Sequence, residues 1–181
     1  FITSNKGKVQ EATQKLQPLG FTVVQRDLGY PEIQADTLEE VALHGVEYIR
    51  GRFNKPFVLE DAGLFINSLR GFPGVYSKYV FFTIGLTGVL QLLEKEKNRD
   101  AMFRSVYAYC ELGKPPILGI GECKGIISSE SRGKNGFGYD PIFIPDGSEK
   151  TFGEMGITEK NRFSHRAKAI ENLVAEIRNF K

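Results

Sequence analysis

The sequence predicts an α/β fold, because apolar runs of strand length alternate with stretches whose apolar residues recur at helical spacing. Three observations carry this expectation. The runs Phe57-Val58-Leu59 and Leu64-Phe65-Ile66 read as short buried strands on either side of Glu60-Asp61. Amphipathic helical patterns follow Asn5, Thr37 and Ser164. Residues 101–110 and 117–124 read as two longer strands joined through Lys114-Pro115-Pro116, the pattern of an antiparallel hairpin. With 181 residues the chain can build one core, or two lobes sharing one sheet, but not two large domains.

Taken in order, Phe1-Ile2-Thr3 ends a strand, and its start without a methionine suggests that the strand is clipped. Ser4-Asn5 offers capping side chains to a helix carrying Val9, Ala12, Leu16 and Leu19 as far as Gly20. Between them, Thr3-Ser4-Asn5-Lys6-Gly7-Lys8 is a turn of hydroxyl, amide and ammonium groups. It reads either as a phosphate seat made of helix-start N–H groups and two lysines, or as a capped helix with solvated lysines. It lacks the glycine spacing of a Walker A loop. Residues 21–24 read as the next strand. The loop Tyr30-Pro31-Glu32-Ile33-Gln34 follows, and its Glu32 is either an exposed acid or a second metal carboxylate. Thr37 and Glu40 are placed as a capping box for a helix with Leu38, Val41, Ala42, Tyr48 and Ile49.

Glu60 and Asp61 sit at the end of a predicted buried strand, where ionised carboxylates are costly unless positive charge meets them. A divalent metal with a phosphate substrate supplies such charge. A strand-end turn with solvated or Arg-paired side chains is the other solution. Gly71-Phe72-Pro73-Gly74-Val75-Tyr76-Ser77-Lys78 reads as a turn opening a helix, and residues 83–93 continue in helical style, weakened by Gly85 and Gly88. Gly125-Ile126-Ile127 reads as the start of a further strand. In residues 133–144, glycines flank Phe137 and leave its face open to a flat ligand, while Asp140 accepts hydrogen bonds from ring N–H groups. The alternative is a glycine-rich loop whose Phe fills the core. Ser164 is placed to cap a last helix burying Ala167, Ile170, Leu173, Val174 and Ile177. His165 and Arg166 in its first turn are cations at the positive end of the helix dipole. A bound anion or carbonyl relieves that misfit, unless both side chains are simply solvated.

Composition narrows the class. Net charge is +2 and well mixed, so no basic block argues for nucleic acid. Apolar stretches are broken within about ten residues, too short for a bilayer span. Cys110 and Cys123 lack metal-ligand spacing and read as reduced, buried residues of a cytoplasmic protein.

The ordered set of stretches resembles the inosine triphosphate pyrophosphatase family, which hydrolyses non-standard purine nucleoside triphosphates. The matching residues are Thr3-Ser4-Asn5-Lys6-Gly7-Lys8, Tyr30-Pro31-Glu32-Ile33-Gln34, Glu60-Asp61-Ala62-Gly63-Leu64 and Gly71-Phe72-Pro73-Gly74-Val75-Tyr76-Ser77. They continue with Gly136-Phe137-Gly138-Tyr139-Asp140-Pro141-Ile142-Phe143, Glu159-Lys160-Asn161 and Ser164-His165-Arg166. The resemblance implies an elongated α/β fold, a mixed sheet with surrounding helices, in two lobes flanking a nucleotide-binding cleft, with residues 1–181 as a single pyrophosphatase domain. It implies Mg2+-dependent cleavage of ITP, dITP or XTP to the monophosphate and pyrophosphate, cleansing the nucleotide pool, in a cytoplasmic homodimer that binds neither nucleic acid nor membrane.

By the same resemblance, Thr3, Ser4, Asn5, Lys6, Gly7 and Lys8 hold the triphosphate, with Ala62 beside it. Glu32 and Asp61, with Glu60 adjacent, are the metal carboxylates, and Asp61 is the base for the attacking water. Phe137 stacks on the purine, flanked by Gly138 and Tyr139. Asp140, Lys160, Ser164, His165 and Arg166 surround base and phosphates, and Lys78 adds a basic contact. Arg166 or a backbone N–H aimed at the 6-keto group would select hypoxanthine and xanthine over adenine. Two positions depart from the family: Ala62 where many relatives carry Ser or Thr, and Tyr48 where many carry Lys. A pyrimidine-cleansing pyrophosphatase and a non-hydrolysing nucleotide sensor are the competing readings.

Overall fold

The computed structural model describes residues 1–179. In chain order it contains helices α1 (Lys6–Leu16) and α2 (Leu38–Arg50), then strands β1 (Phe57–Ile66) and β2 (Pro73–Gly74). Helices α3 (Ser77–Thr83) and α4 (Gly85–Leu92) follow, then strands β3 (Asp100–Cys110), β4 (Ile117–Ile127) and β5 (Phe143–Pro145). Helices α5 (Ile157–Lys160) and α6 (His165–Asn179) close the chain. The strands form one open sheet in the order β2-β1-β3-β4-β5, which bears out the α/β expectation. β1 pairs antiparallel with β2, and β4 with β5. β3 and β4 are neighbours joined by residues 111–116 alone, and so short a link serves only an antiparallel pair. Outside the named strands, Ile2 and Arg26 form an isolated parallel bridge.

The chain divides into two compact units, with the divisions falling inside β1, β3 and β4. The first holds Phe1–Ala62, Ser105–Gly121 and the residues from His165 onward. Its core packs Ala12 of α1 against Ala169, Ile170, Leu173 and Val174 of α6, with Phe1 and Tyr107. Helix α6 lies close on β4 because Gly119 and Gly121 offer no side chains. A Cβ on Gly121 would stand 2.2 Å from the His165 carbonyl oxygen, and one on Gly119 2.4 Å from that of Ala169. The second unit holds Gly63–Arg104 and Glu122–Ser164. Its core gathers Leu64, Ile66, Val80, Val89, Leu93, Phe103, Phe143 and Phe152.

The helix starts follow their caps. Asn5 Oδ1 accepts from the Lys8 N–H at 3.1 Å, and Thr37 with Glu40 forms the full capping box. Other expectations need correction. The two apolar runs around Glu60-Asp61 are one continuous ten-residue strand, so both acids lie inside it rather than in a strand-end turn. Gly63 does not interrupt this strand. It lets Gly74 approach, whose carbonyl oxygen would stand 2.4 Å from a Cβ at position 63. Residues 21–24 form no strand: Phe21 and Val24 are about half exposed, and pairing falls two residues later at Arg26. The helix expected over residues 83–93 is divided at Gly85, whose φ of +64° ends α3 and restarts the chain as α4. Gly125-Ile126-Ile127 extends β4 instead of opening a new strand. Cys110 and Cys123 are free and buried, as expected.

Candidate active site

The first unit assembles the turn of residues 3–8 and the carboxylates. The turn is held by its own side chains: Thr3 Oγ1 accepts from the Asn5 N–H, and Asn5 in turn caps α1. Ser4 and Lys6 remain exposed, and Gly7 is half-buried. Lys8 is directed inward. Its Nζ lies 2.7 Å from Glu60 Oε2 and donates to the Glu60 carbonyl oxygen at 3.1 Å.

Glu60 is the centre of a buried charge cluster. Besides Lys8, its Oε1 accepts from Ser105 Oγ at 2.6 Å and from Arg166 Nε at 3.1 Å. Arg166 Nη1 stands 3.4 Å from Glu11 Oε2. Burial alone would push the Glu60 carboxyl up, but Lys8, Arg166 and the Ser105 hydroxyl more than reverse this and hold it below the usual range. Glu60 was expected beside the metal. Both of its oxygens are engaged by cations and a hydroxyl, which makes it the internal counter-ion of this cluster.

Asp61, the next residue on β1, has the opposite environment. Its carboxyl is pushed up to about 6, chiefly by burial and further by the charges of Glu60 and Glu32, while Lys8 and the Ala62 N–H act against this. The Ala62 N–H donates to Asp61 Oδ1 at 2.9 Å, so Ala62 serves through its backbone. Burial, with Asp61, Glu60 and Glu32 all adding to it, also raises the Tyr30 hydroxyl above its ordinary range. Gly45 of α2 makes room for that ring, since a Cβ there would meet Tyr30 at 2.8 Å. Among the described residues, no group of three or more His, Cys, Asp or Glu side chains is arranged to hold a metal by itself. Asp61 and Glu32 nonetheless suit a hard divalent cation. They are oxygen donors whose mutual repulsion a cation relieves, and such ions bind through one or two carboxylates plus waters and phosphate oxygens. Tyr48, one of the two departures noted above, has the Arg52 guanidinium 3.8 Å from its ring centre.

Arg166 and His165 resolve differently from either sequence reading. Both are buried, so neither is solvated. Carboxylates of its own unit, Glu60 and Glu11, meet the charge of Arg166 at the start of α6. Ser164, expected to cap that helix, is fully buried. Glu11, Ser105 and Tyr107 went unnoticed in the sequence. The single available signal was Glu11 standing among the residues of α1 that face the core, one position before Ala12.

The second unit builds a separate, aromatic group. Asp140 Oδ2 accepts from the Phe137 N–H at 2.7 Å and from Lys160 Nζ at 2.6 Å. Asp140 and Lys160 are both 2% exposed, so Asp140 pins the glycine loop and Lys160 rather than offering an open acceptor. Gly136, at φ +72°, is obligatory here, because a Cβ would stand 2.0 Å from Asp140 Oδ2. Lys160 Nζ lies 5.1 Å from the Phe137 ring and 5.3 Å from Phe152. Phe137 and Gly138 are half-buried. Tyr139, expected at the ligand, is a buried strut whose hydroxyl donates to the Ser77 carbonyl oxygen at 2.7 Å. Ser77 opens α3, and Lys78 stands exposed beside it.

Comparison with known proteins fits this geometry. The chain matches the Ham1 family over residues 1–176. It is 51% identical to a dITP/XTP pyrophosphatase of Methanopyrus kandleri, covering 99% of this chain and 95% of that one. It is 55% identical to a protein of the same name from Thermococcus kodakarensis, covering 96% and 93%. Among solved structures, a HAM1 protein from Coxiella burnetii aligns with a TM-score of 0.84 at 30% identity, covering 98% of this chain and 96% of the other. Family match, near-complete coverage and shared fold together lead to one conclusion: the chain belongs to the Ham1 family.

Proposed function

We propose that this chain is a nucleoside triphosphate pyrophosphatase that hydrolyses non-standard purine triphosphates such as dITP, ITP and XTP to the monophosphate and pyrophosphate. The observation that carries the reading is Asp61: a carboxyl held near neutrality beside Glu32 and the Lys8 turn, in a chain of this family. A base poised near the working pH takes a proton efficiently without being protonated beforehand. Asp61 accepts a proton from water as the water oxygen bonds to the α-phosphorus, the α–β anhydride bond breaks and pyrophosphate leaves. Thr3, Ser4, Asn5, Lys6, Gly7 and Lys8 bind the phosphates through N–H groups and ammonium charge. Asp61 and Glu32 would hold Mg2+, which when bound offsets the charge of the triphosphate. Phe137 offers its ring to the purine, and Lys160, held by Asp140, lies at the edge of that ring.

Residues 1–181 act as one pyrophosphatase domain in the cytoplasm, working on free nucleotides, not nucleic acid or membranes. No described helix is long and apolar enough to cross a membrane. The protein assembles as a homodimer, a reading supported by the exposed aromatic stripe Tyr76, Tyr79 and Phe82 at 44%, 70% and 77% exposure. Phe82→Glu would then yield monomers in sedimentation analysis. An unchanged species would remove the stripe from the interface.

Incubation with ITP, XTP, dUTP, ATP and GTP in the presence of Mg2+, with pyrophosphate and free phosphate assayed separately, tests the reaction. Pyrophosphate with IMP or XMP, and slow turnover of ATP and GTP, is the expected result. Free phosphate with a diphosphate would mean attack at the γ-phosphorus and defeat the mechanism. Preference for dUTP would favour pyrimidine cleansing, and binding without turnover would favour a sensor.

A further inference from the structure

Four charges alternate inside the first unit: Glu11, Arg166, Glu60 and Lys8. Both ends of this series lie on α1, three residues apart and therefore on one face of the helix. Its middle members come from β1 and from the first turn of α6. Three of the four residues, Glu11, Glu60 and Arg166, are at most 6% exposed. We propose that Glu11 is a positioning residue for the phosphate turn, acting on Lys8 through Arg166 and Glu60. This deepens the function proposed above and rests on Lys8 binding phosphate.

The argument is electrostatic. Arg166 stands between two carboxylates and divides its attraction between them. With Glu11 sharing the Arg166 guanidinium, Glu60 retains attraction for Lys8. Without Glu11, Arg166 turns wholly to Glu60, and the ammonium of Lys8 loses part of its hold. A free lysine side chain has large rotamer freedom, and fixing it before the ligand arrives removes that entropy from the binding step. Lys8 meets the phosphates in ground and transition states alike, so losing this order raises KM and leaves kcat nearly unchanged. The Ser105 hydroxyl, a neutral partner of Glu60, steadies the same carboxylate.

The test compares the full chain with Glu11→Gln, Lys8→Met and the double variant. ITP turnover with Mg2+ and calorimetric binding of inorganic tripolyphosphate are measured on each, with thermal melts to confirm folding. Glu11→Gln is expected to raise KM for ITP and the tripolyphosphate Kd about 10-fold, with kcat within about threefold of wild type. In the Lys8→Met background the same change should move either constant by less than about twofold, since the route through Lys8 is already cut. Glu11→Asp should recover part of the loss. Equal effects in both backgrounds, or a fall in kcat with constants unmoved, would overturn the proposal. Should Glu11→Gln fail to fold, Ser105→Ala carries the test: weaker tripolyphosphate binding only when Lys8 is present supports it, and unchanged binding overturns it. A wild-type chain that binds tripolyphosphate but never turns over ITP would defeat the pyrophosphatase reading, while the binding cycle would still decide the role of Glu11.

Discussion

Asp61→Asn is expected to stabilise the folded chain while abolishing turnover. The carboxyl moves from 3.8 to about 6 on folding, chiefly through burial. Each unit is worth about 1.4 kcal/mol, so an ionised Asp61 costs the fold about 3 kcal/mol at neutral pH. The sign follows from proton binding. A raised carboxyl binds its proton more tightly when folded, so the penalty is absent below the unfolded value of 3.8 and complete once pH has risen through about 6. Asparagine keeps the oxygen that accepts from the Ala62 N–H but carries no charge. Urea unfolding of both proteins in chelator, from about pH 4 to 8, should show a gap opening across that window to about 1–3 kcal/mol in favour of the variant. Added Mg2+ should then stabilise wild type and leave the variant unmoved, because only an anionic Asp61 binds the cation well. A variant no more stable than wild type at pH 8 without metal, or a gap that ignores pH, would refute the account of Asp61 as a destabilised, poised carboxyl.

Other perturbations follow from single contacts. Gly121→Ala places a methyl 2.2 Å from the His165 carbonyl oxygen and 2.3 Å from the Ala169 nitrogen. A loss of about 1–3 kcal/mol in urea unfolding is expected, and unchanged stability would mean that α6 tolerates displacement. Among the described residues, the Tyr107 hydroxyl, at 1% exposure, finds no hydrogen-bond partner. Tyr107→Phe should therefore raise the unfolding free energy by about 1 kcal/mol, and a decrease would reveal a bond to an internal water. Phe137→Ala should raise KM by the equivalent of about 1–3 kcal/mol of stacking, whereas an unchanged KM would give that ring a packing role alone.

Local signals were legible where local chemistry decides the outcome. The Asn5 cap, the Thr37–Glu40 box and the hairpin of β3 and β4 followed from short-range pattern. What escaped depends on partners distant in sequence. Residues 21–24 have strand composition, yet Phe21 and Val24 stay about half exposed and the register pairs Arg26 instead. The continuity of β1 through Glu60 and Asp61 required knowing that Lys8, Ser105 and Arg166 would converge on Glu60 from positions 52, 45 and 106 residues away. The candidate site divides the same way. The residue types in its turns could be named from sequence, but which were bound to one another could not. Asp140 and Arg166 were read as open to a ligand because nothing local shows Lys160 or Glu11 beside them.

Glu60 and Asp61 explain why one strand can carry both the fixed and the reactive charge. Successive side chains of a strand point to opposite faces, so neighbours in sequence enter different surroundings. Glu60 enters a region already holding two cations and a hydroxyl, and burial there strengthens its attraction to them and keeps it ionised. Asp61 enters one where Glu60 and Glu32 add their repulsion to burial, and its proton is held until about pH 6. Two adjacent carboxyls driven apart in this way take different roles: the first can only be a permanent anion, and the second alone can exchange a proton near neutrality. The proposed assignment of the base to Asp61 thus rests on the fold of β1, since inverting the face of that strand would exchange the two environments.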